Sequence, residues 1–167
     1  IIFDSLDDFF DTSLLVHVIR KFVKHNLRSI LTEVDPDTDW TDYIKFSLSQ
    51  HIFSFLPSQE SAIRKGLLKF DKAFSLKMPT SAGKSYITEL LIYKELKTNP
   101  HAKVLYLAPL RSLSRELQFR FRRVGSNLGF TTSAIYGGST FTIDQDILKD
   151  ARLLISTPES FSIMEDS

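Results

Sequence analysis

Cysteine is absent from the 167-residue sequence, which excludes a disulfide framework and any metal site built on thiolate ligands. The four histidines are scattered without ligand spacing, which argues against a zinc centre. No apolar run approaches the roughly 20 residues that a membrane span requires. The N-terminal stretch "IIFDSLDDFF" carries acidic residues where a signal peptide carries basic ones. These absences predict a cytoplasmic protein that does not cross a membrane.

The charges are unevenly distributed along the chain. Residues 1–50 contain nine acidic residues against five Lys or Arg, and the remainder contains 11 against 16. Such a basic excess in the rear part indicates contact with phosphate groups, although a solvated charged surface is the commoner explanation. Hydrophobic residues make up 43% of the sequence, enough for a globular domain with a sizeable core.

The front of the chain, residues 1–54, has helical periodicity only. Residues 12–31 predict an amphipathic helix capped by Thr12 or Ser13. Its apolar stripe comprises Leu15, Val18, Ile19, Phe22 and Val23. A second helical pattern runs through Tyr43, Ile44, Leu48 and Ile52, and a third helix is expected to begin at Ser58. We therefore expect an all-helical N-terminal region.

From residue 55 onward, helical and strand patterns alternate. Strands are predicted at residues 73–78, 103–109, 131–136 and 151–158, and helices at 85–97 and 111–125. Strands joined through helices pair in parallel and are covered on both faces. The predicted fold class is therefore α/β, with a mostly parallel, doubly wound sheet behind the helical N-terminal region.

The stretch "FSLKMPTSAGKSYITELL", residues 74–91, places a loop of small residues between a predicted strand and a helix. The loop residues are Pro79, Thr80, Ser81, Ala82 and Gly83. Their backbone N–H groups, with the start of the helix, suit a phosphate. Lys84 is placed to reach the β and γ phosphates, and Ser85 to ligate Mg²⁺. The full P-loop pattern has glycine at position 78, where this chain has Met78, so the prediction of nucleotide binding depends on the strand and helix around the loop.

Three further loops follow predicted strands, and parallel strands would bring them to one sheet edge beside the phosphate loop. They contain Pro109, Leu110 and Arg111; Gly137 and Gly138; and Thr157, Pro158 and Glu159. Helix starts, an arginine and a threonine hydroxyl suit the backbone of a nucleic acid, because phosphate contacts need donors and charge. A plain turn or a helix cap is the alternative for the last two loops. For Arg120, Arg122 and Arg123 a solvated basic surface is the favoured interpretation.

Four blocks occur in the order known from superfamily 2 helicases, and the sequence resembles their DExH branch, which includes the Ski-like helicases. "FLPSQESAI" (55–63) resembles the Q motif, "MPTSAGKS" (78–85) motif I, "YLAPLRSLSREL" (106–117) motif Ia and "ISTPES" (155–160) motif Ib. "YGGS" (136–139) resembles the double-glycine element between the last two. The resemblance covers residues 55–164 and implies a RecA-like ATP-binding domain.

Carried onto matching positions, the resemblance implies that Gln59 reads the adenine edge, with Phe55 or Leu56 against the base. It implies ATP and Mg²⁺ as cofactors, single-stranded DNA or RNA as partner, and a second RecA-like domain elsewhere in the same polypeptide. The D-E-x-[DH] block, which orients water and metal in such motors, is expected beyond residue 167. Residues 55–167 are thus expected to form a truncated first motor domain that does not sustain ATP turnover alone.

The resemblance implies a parent enzyme that hydrolyses ATP to track along or unwind nucleic acid. The principal alternative is a regulatory or adaptor module that binds nucleotide without motor activity, and a small-molecule kinase is a weaker one. Residues 1–54 are expected to serve first as packing for the motor domain. An interaction or autoregulatory element is the alternative for that region.

Overall fold

The computed structural model describes residues 6–69, 73–79, 82–135 and 150–165. The chain divides into two compact units, residues 1–87 and 88–167. Within the described residues, no helix is both long enough and apolar enough to span a bilayer.

The first unit is built of helices. They are α1 (Leu6–His25), α2 (Leu27–Val34), α3 (Thr41–Ser49), α4 (Pro57–Ala62) and a π-helical turn (Ile63–Leu67). Helix α5 (Lys84–Thr98) begins in this unit and continues into the second. Fully buried side chains form the core of the unit, among them Leu27, Ile30, Leu31, Tyr43, Ile63 and Leu68. The predicted helical N-terminal region is therefore present, and an isolated antiparallel bridge joins Asn26 to Ser54.

The predicted helix over 12–31 is wrong in its bounds and in its buried face. Helix α1 begins at Leu6, so neither Thr12 nor Ser13 caps it. It ends before Asn26, and a separate helix, α2, begins at Leu27. Asn26 is extended, and its side-chain oxygen accepts from the Ser29 backbone N–H at 2.9 Å. This is a standard N-cap, which an asparagine inside a helical pattern can supply. The predicted apolar stripe of α1 is exposed to solvent.

The predicted strand at residues 73–78 is absent. Residues 73–79 pair with no neighbouring strand in the described part of the chain, and Phe74 is 51% exposed. Apolar composition alone favoured a buried strand here, but a strand also needs a partner for its backbone N–H and C=O groups. The segment remains irregular, with Leu76 and Met78 half-buried.

The second unit contains a parallel sheet, as predicted. Its elements are β1 (Val104–Leu107), α6 (Arg111–Leu128), β2 (Thr132–Ile135), β3 (Leu153–Ser156) and α7 (Pro158–Glu165). The strand order is β1-β3-β2, with both pairs parallel. The register places Tyr106 beside Ile155, and Ile155 beside Ala134.

Helix α6 packs on this sheet through one buried face. Leu117, Phe121 and Val124 are buried, and the Phe121 ring lies 5.9 Å from the ring of Tyr106 on β1. The central strand β3 is the most buried of the three, since it has a neighbour on each side. The carboxyl ends of β1 and β3 lie side by side, because the Ala108 N–H donates to the Ser156 carbonyl at 2.8 Å.

Candidate phosphate-binding loop and nucleic-acid interface

The loop before α5 turns sharply at both of its described ends. The Ala82 N–H donates to the Pro79 carbonyl at 3.1 Å, which holds the two described parts of the loop together. Gly83 then adopts a left-handed conformation with φ +69°, and its carbonyl accepts from the Tyr86 N–H at 3.1 Å. The helix therefore begins at Lys84, directly after the loop and one residue before the predicted start. Of the two elements on which the prediction of nucleotide binding depends, the helix is present and the strand at 73–78 is not. Thr80 and Ser81 lie outside the described residues.

Lys84 and Ser85 occupy the first turn of α5, and both are exposed. The Lys84 ammonium donates to the carbonyl of Met78 at 3.0 Å, so the side chain reaches back to the residue that precedes the loop. The first turn of a helix presents N–H groups and a positive dipole end, both of which favour an anion. A lysine over such a turn adds a positive charge that a triphosphate would meet.

Gln59 braces this loop from inside the first unit. The residue is 3% exposed, and its side-chain N–H group donates to the carbonyls of Ala82 at 3.1 Å and Gly83 at 3.2 Å. Its oxygen accepts from the Leu56 N–H at 2.9 Å, at the start of α4. All these partners are backbone groups, so the structure places Gln59 against the loop. The predicted contact with adenine stays a prediction.

Gly83 is the residue that permits this brace. A Cβ atom at position 83 would lie 2.4 Å from the Gln59 side-chain nitrogen, far inside contact distance. Position 83 therefore requires glycine for two reasons: its φ is positive, and the Gln59 amide approaches its backbone closely. The geometry fits a phosphate-binding loop in which the backbone stays close to a supporting side chain.

An open cavity of about 650 Å³ lies beside the segment that leads into the loop. Its lining includes Lys65, Lys69 and Lys77 as well as Met78 and Pro79. Lys84 and Ser85 are not part of this lining. The cavity therefore adjoins the first residue of the loop, Pro79, but does not include the exposed residues at the start of α5.

Two of the three predicted nucleic-acid loops lie together at the carboxyl edge of the sheet in the second unit. Pro109, Leu110 and Arg111 follow β1, and Thr157, Pro158 and Glu159 follow β3. Leu110 is 63% exposed. The third predicted pair, Gly137 and Gly138, lies outside the described residues.

Thr157 is buried and serves as the cap of α7. It is 1% exposed, and its hydroxyl accepts from the Ser160 N–H at 3.3 Å and lies 2.9 Å from the Ser160 hydroxyl. Next to it, hydrogen bonds from the Glu159 backbone N–H and the Thr157 hydroxyl hold the pKa of Glu159 below its usual value, with a smaller contribution from the charge of Arg111. The Glu159 carboxylate therefore lies at the helix start, where an anion is favoured.

Arg120 does not belong to a simply solvated surface, in contrast to the interpretation favoured for it. Its guanidinium donates to Glu89 at 2.5 Å, and the Glu89 side chain is 5% exposed. Burial raises the pKa of Glu89, and the charge and hydrogen bond of Arg120 oppose that rise. A buried carboxylate needs such a partner. Arg122 and Arg123 are exposed, as predicted.

Sequence patterns missed the side chains that support the loop. Tyr43 and Ser47 on α3 contact Tyr86 on α5, and all three are buried. The available signal was a polar residue, Ser47, four residues after Tyr43 and hence on the same face of a predicted helix.

The chain matches the family model described as "DEAD/DEAH box helicase" over residues 56–166. It is 37% identical over 155 residues to Hachiman protein HamB of Bacillus cereus, covering 90% of this chain and 14% of that protein. It is 29% identical over 112 residues to the ATP-dependent DNA helicase Hel308 of Methanocaldococcus jannaschii, covering 65% of this chain and 9% of that protein. The chain thus spans a small part of the relatives it matches.

A solved structure, the DUF1998 helicase MrfA bound to DNA and AMPPNP, superposes with a TM-score of 0.59 at 18% identity, covering 71% of this chain and 17% of that one. This likeness shows the fold, a helicase RecA-like arrangement of helices and parallel strands. Because the family model covers more than half of the sequence, the chain belongs to the DEAD/DEAH box helicase family.

Proposed function

We propose that the chain is the ATP-binding part of a helicase or translocase that couples ATP hydrolysis to tracking along, or unwinding, nucleic acid. The observation that carries the proposal is the loop before α5, in which left-handed Gly83 leads directly into a helix whose first two residues are exposed Lys84 and Ser85. Membership of the helicase family supports the same function.

In this proposal Pro79, Thr80, Ser81, Ala82 and Gly83 surround the phosphates. Lys84 leaves the Met78 carbonyl to pair with the β and γ phosphates, because an ammonium gains more from a charged oxygen than from a neutral one. Ser85 presents its hydroxyl on the same turn and would hold Mg²⁺. The ion would supply positive charge that offsets the negative charge of the phosphates.

The residues present fit this ligand pair. Lys84 and Ser85 are both exposed on one helical turn, and the glycine before them leaves no side chain in the way. Gln59 holds the loop carbonyls from behind, so that the loop N–H groups can face the ligand. We retain Gln59 also as the proposed adenine contact, together with its bracing role.

The proposed nucleic-acid contacts are Pro109, Leu110, Arg111, Gly137, Gly138, Pro158 and Glu159. Thr157 contributes in this proposal by capping α7, because its hydroxyl is buried against Ser160. Support comes from the pairing of β1 with β3, whose ends bring the first and last of these groups to one edge of the sheet. The MrfA structure contains DNA, and Hel308 is named a DNA helicase. Single-stranded DNA or RNA is the proposed partner of this chain. A second RecA-like domain in the remainder of the polypeptide is proposed to complete the motor, and the proposed location is the cytoplasm.

Lys84→Ala in the full-length protein tests the proposal. We expect nucleic-acid-stimulated ATP hydrolysis to fall by a factor on the order of 100 or more, because a preorganised charge on the transferred phosphate is lost. Lys77→Ala is the matched control, since it removes one exposed positive charge from the segment that leads into the loop. Assays with single-stranded DNA, with single-stranded RNA and with neither identify the partner.

Undiminished turnover in Lys84→Ala would refute the assignment of the loop. ATP binding by the wild-type protein without any turnover, with or without nucleic acid, would instead support the adaptor module.

A further inference from the structure

The first turn of α5 faces two ways. Lys84 and Ser85 are exposed, whereas the next residue, Tyr86, is only 8% exposed and points toward the helical N-terminal region. Because consecutive residues on a helix are separated by a fixed rotation, whatever fixes Tyr86 also fixes where Lys84 and Ser85 point.

A buried hydroxyl pair holds the tip of Tyr86. Its phenolic oxygen lies 2.9 Å from the hydroxyl of Ser47, and Ser47 is fully buried on α3. The two residues are 39 positions apart in the sequence. Apolar residues would bury the same surface, but a hydrogen bond between buried hydroxyls additionally imposes direction and is costly to break on one side only.

Two aromatic rings enclose the ring of Tyr86. The centroid of the Tyr43 ring lies 5.8 Å from that of Tyr86 and the centroid of the Phe55 ring 6.0 Å, both within the range of separations at which aromatic rings attract each other. The Tyr43 hydroxyl also donates to the backbone carbonyl of Tyr86 at 3.4 Å. Contacts from α3 and from the residues before α4 thus hold the ring, the hydroxyl and the backbone of Tyr86.

We propose that Tyr86 is a positioning residue for the phosphate-binding loop, and that α3 sets the rotation of the first turn of α5 through Ser47 and Tyr43. This inference rests on the proposed function and deepens it. It gives the helical N-terminal region a part in ATP binding, since a displacement of Lys84 or Ser85 weakens the charge-assisted contacts that would hold the bound phosphates.

Gln59 and Tyr86 are complementary in this arrangement. Gln59 holds the carbonyls of the loop itself, and Tyr86 holds the helix that the loop enters. Removal of the hydroxyl pair should therefore loosen the start of α5 while the loop retains its brace.

The test uses the full-length protein with Tyr86→Phe, Ser47→Ala and the double variant. Tyr93→Phe is the matched control, because Tyr93 is a buried tyrosine about two turns further along the same helix. For each variant KM and kcat for ATP, the melting temperature, and hydrogen exchange of the backbone amides in residues 82–87 are measured.

We expect Tyr86→Phe to raise KM for ATP about five- to tenfold with a smaller change in kcat, and to speed exchange at residues 82–87. The double variant should recover the wild-type melting temperature, since removing both partners of a buried hydrogen bond is nearly neutral. Its KM should stay raised and its exchange fast. Tyr93→Phe should leave KM and the exchange of residues 82–87 unchanged.

The proposal is wrong if the double variant recovers KM and exchange together with its melting temperature, because the hydroxyl pair would then contribute stability alone. It is equally wrong if Tyr86→Phe leaves KM and exchange at wild-type values. A wild-type protein that neither binds nor hydrolyses ATP would overturn the proposed function, and the exchange measurements would still decide whether Tyr86 positions the loop.

Discussion

The two units fix their candidate site residues by different means. In the first unit, side chains distant in sequence hold the phosphate-binding loop, with Gln59 on the loop carbonyls and Ser47 on Tyr86. In the second unit, backbone hydrogen bonds between parallel strands align the residues that follow β1 and β3. The loop should therefore be sensitive to single side-chain changes that the sheet edge would tolerate.

The largest effect is expected from Gly83→Ala in the first unit. The new Cβ would clash with the Gln59 amide, and the alanine would have to adopt the left-handed φ of +69°. We expect a loss of ATP affinity on the order of 100-fold, since the loop must move away from its brace. Nucleotide binding to the full-length protein measures this loss.

Gly129→Ala is the control for that variant. Gly129 has φ +79°, but an added Cβ would have nothing within 4 Å. It should cost about 1–2 kcal/mol of backbone strain without weakening ATP binding. Equal losses of affinity in the two variants would show that strain alone, and not the Gln59 contact, explains the result.

In the second unit, Arg120→Met should lower stability and leave the loop unaffected. It strands the buried Glu89 carboxylate, and we expect a loss of about 2 kcal/mol, less than for a fully buried pair because Arg120 itself is 44% exposed. Glu89→Gln should cost under about 1 kcal/mol, because solvent can take over the guanidinium. Equilibrium unfolding measures both, and a larger loss for Glu89→Gln would contradict this asymmetry.

The stability of Arg120→Met should depend on pH, because the pKa of Glu89 is raised. Burial favours the protonated carboxyl in the folded state, and loss of Arg120 removes the groups that oppose this effect. A folded-state pKa above the unfolded one gives stability at low pH that is lost as the pH rises through the folded value. Arg120→Met should therefore lose more stability relative to wild type at pH 8 than at pH 5.

Gln59→Met in the first unit removes the hydrogen bonds of the amide and keeps a side chain of similar volume. We expect about a tenfold increase in KM for ATP, because the loop carbonyls and the Leu56 N–H lose their buried partner. A bracing role predicts the same factor for GTP binding, since both nucleotides share the triphosphate. Loss confined to ATP would identify adenine as the main partner of Gln59. Ser58→Ala, exposed on the same helix, should change neither.

The smallest effect is expected where the front helices meet α4. Arg64 pairs with Glu33 at 2.6 Å and Glu60 at 2.8 Å. Hydrogen bonds from Arg64 lower the pKa of Glu33. For Glu60, burial raises the pKa, but hydrogen bonds from Arg64 and His25 outweigh it and the pKa is lowered.

Lowered carboxyl pKa values give stability that is present above the usual value of 4.5 and lost as the pH falls through the folded values. Arg64→Met should therefore melt less than about 4 °C below wild type at pH 7. The difference should shrink below pH 4.5. Melting curves across this pH range measure it, and a difference that is constant with pH would contradict the role of the carboxylates.

Local patterns predicted the second unit well and the first unit only in part. The strands β1, β2 and β3 and the helices α5 and α6 were evident from apolar periodicity and from turn residues. The alternation of helices and strands predicts that the strands pair in parallel. It does not predict the order β1-β3-β2, which depends on contacts between residues distant in the sequence. At residues 73–78 composition predicted a strand, and the missing neighbour left an irregular segment.

Helix α5, predicted to begin at residue 85, and the loop before it were found from the sequence because their signals lie within a few residues of each other. The side chains that support the loop were not predicted from local patterns. Only the Q-motif resemblance indicated Gln59, and Tyr86 and Ser47 are brought together across 39 residues by the packing of α3. Such contacts leave little local trace, since a buried serine and a buried tyrosine also occur in ordinary cores.

A structure of the full-length protein with a non-hydrolysable ATP analogue and Mg²⁺ tests the central claim most directly. We predict the β and γ phosphates against the backbone N–H groups at the start of α5, with the Lys84 ammonium moved from the Met78 carbonyl to a phosphate oxygen. Triphosphate bound elsewhere, with Lys84 still on Met78, would contradict the assignment of this loop.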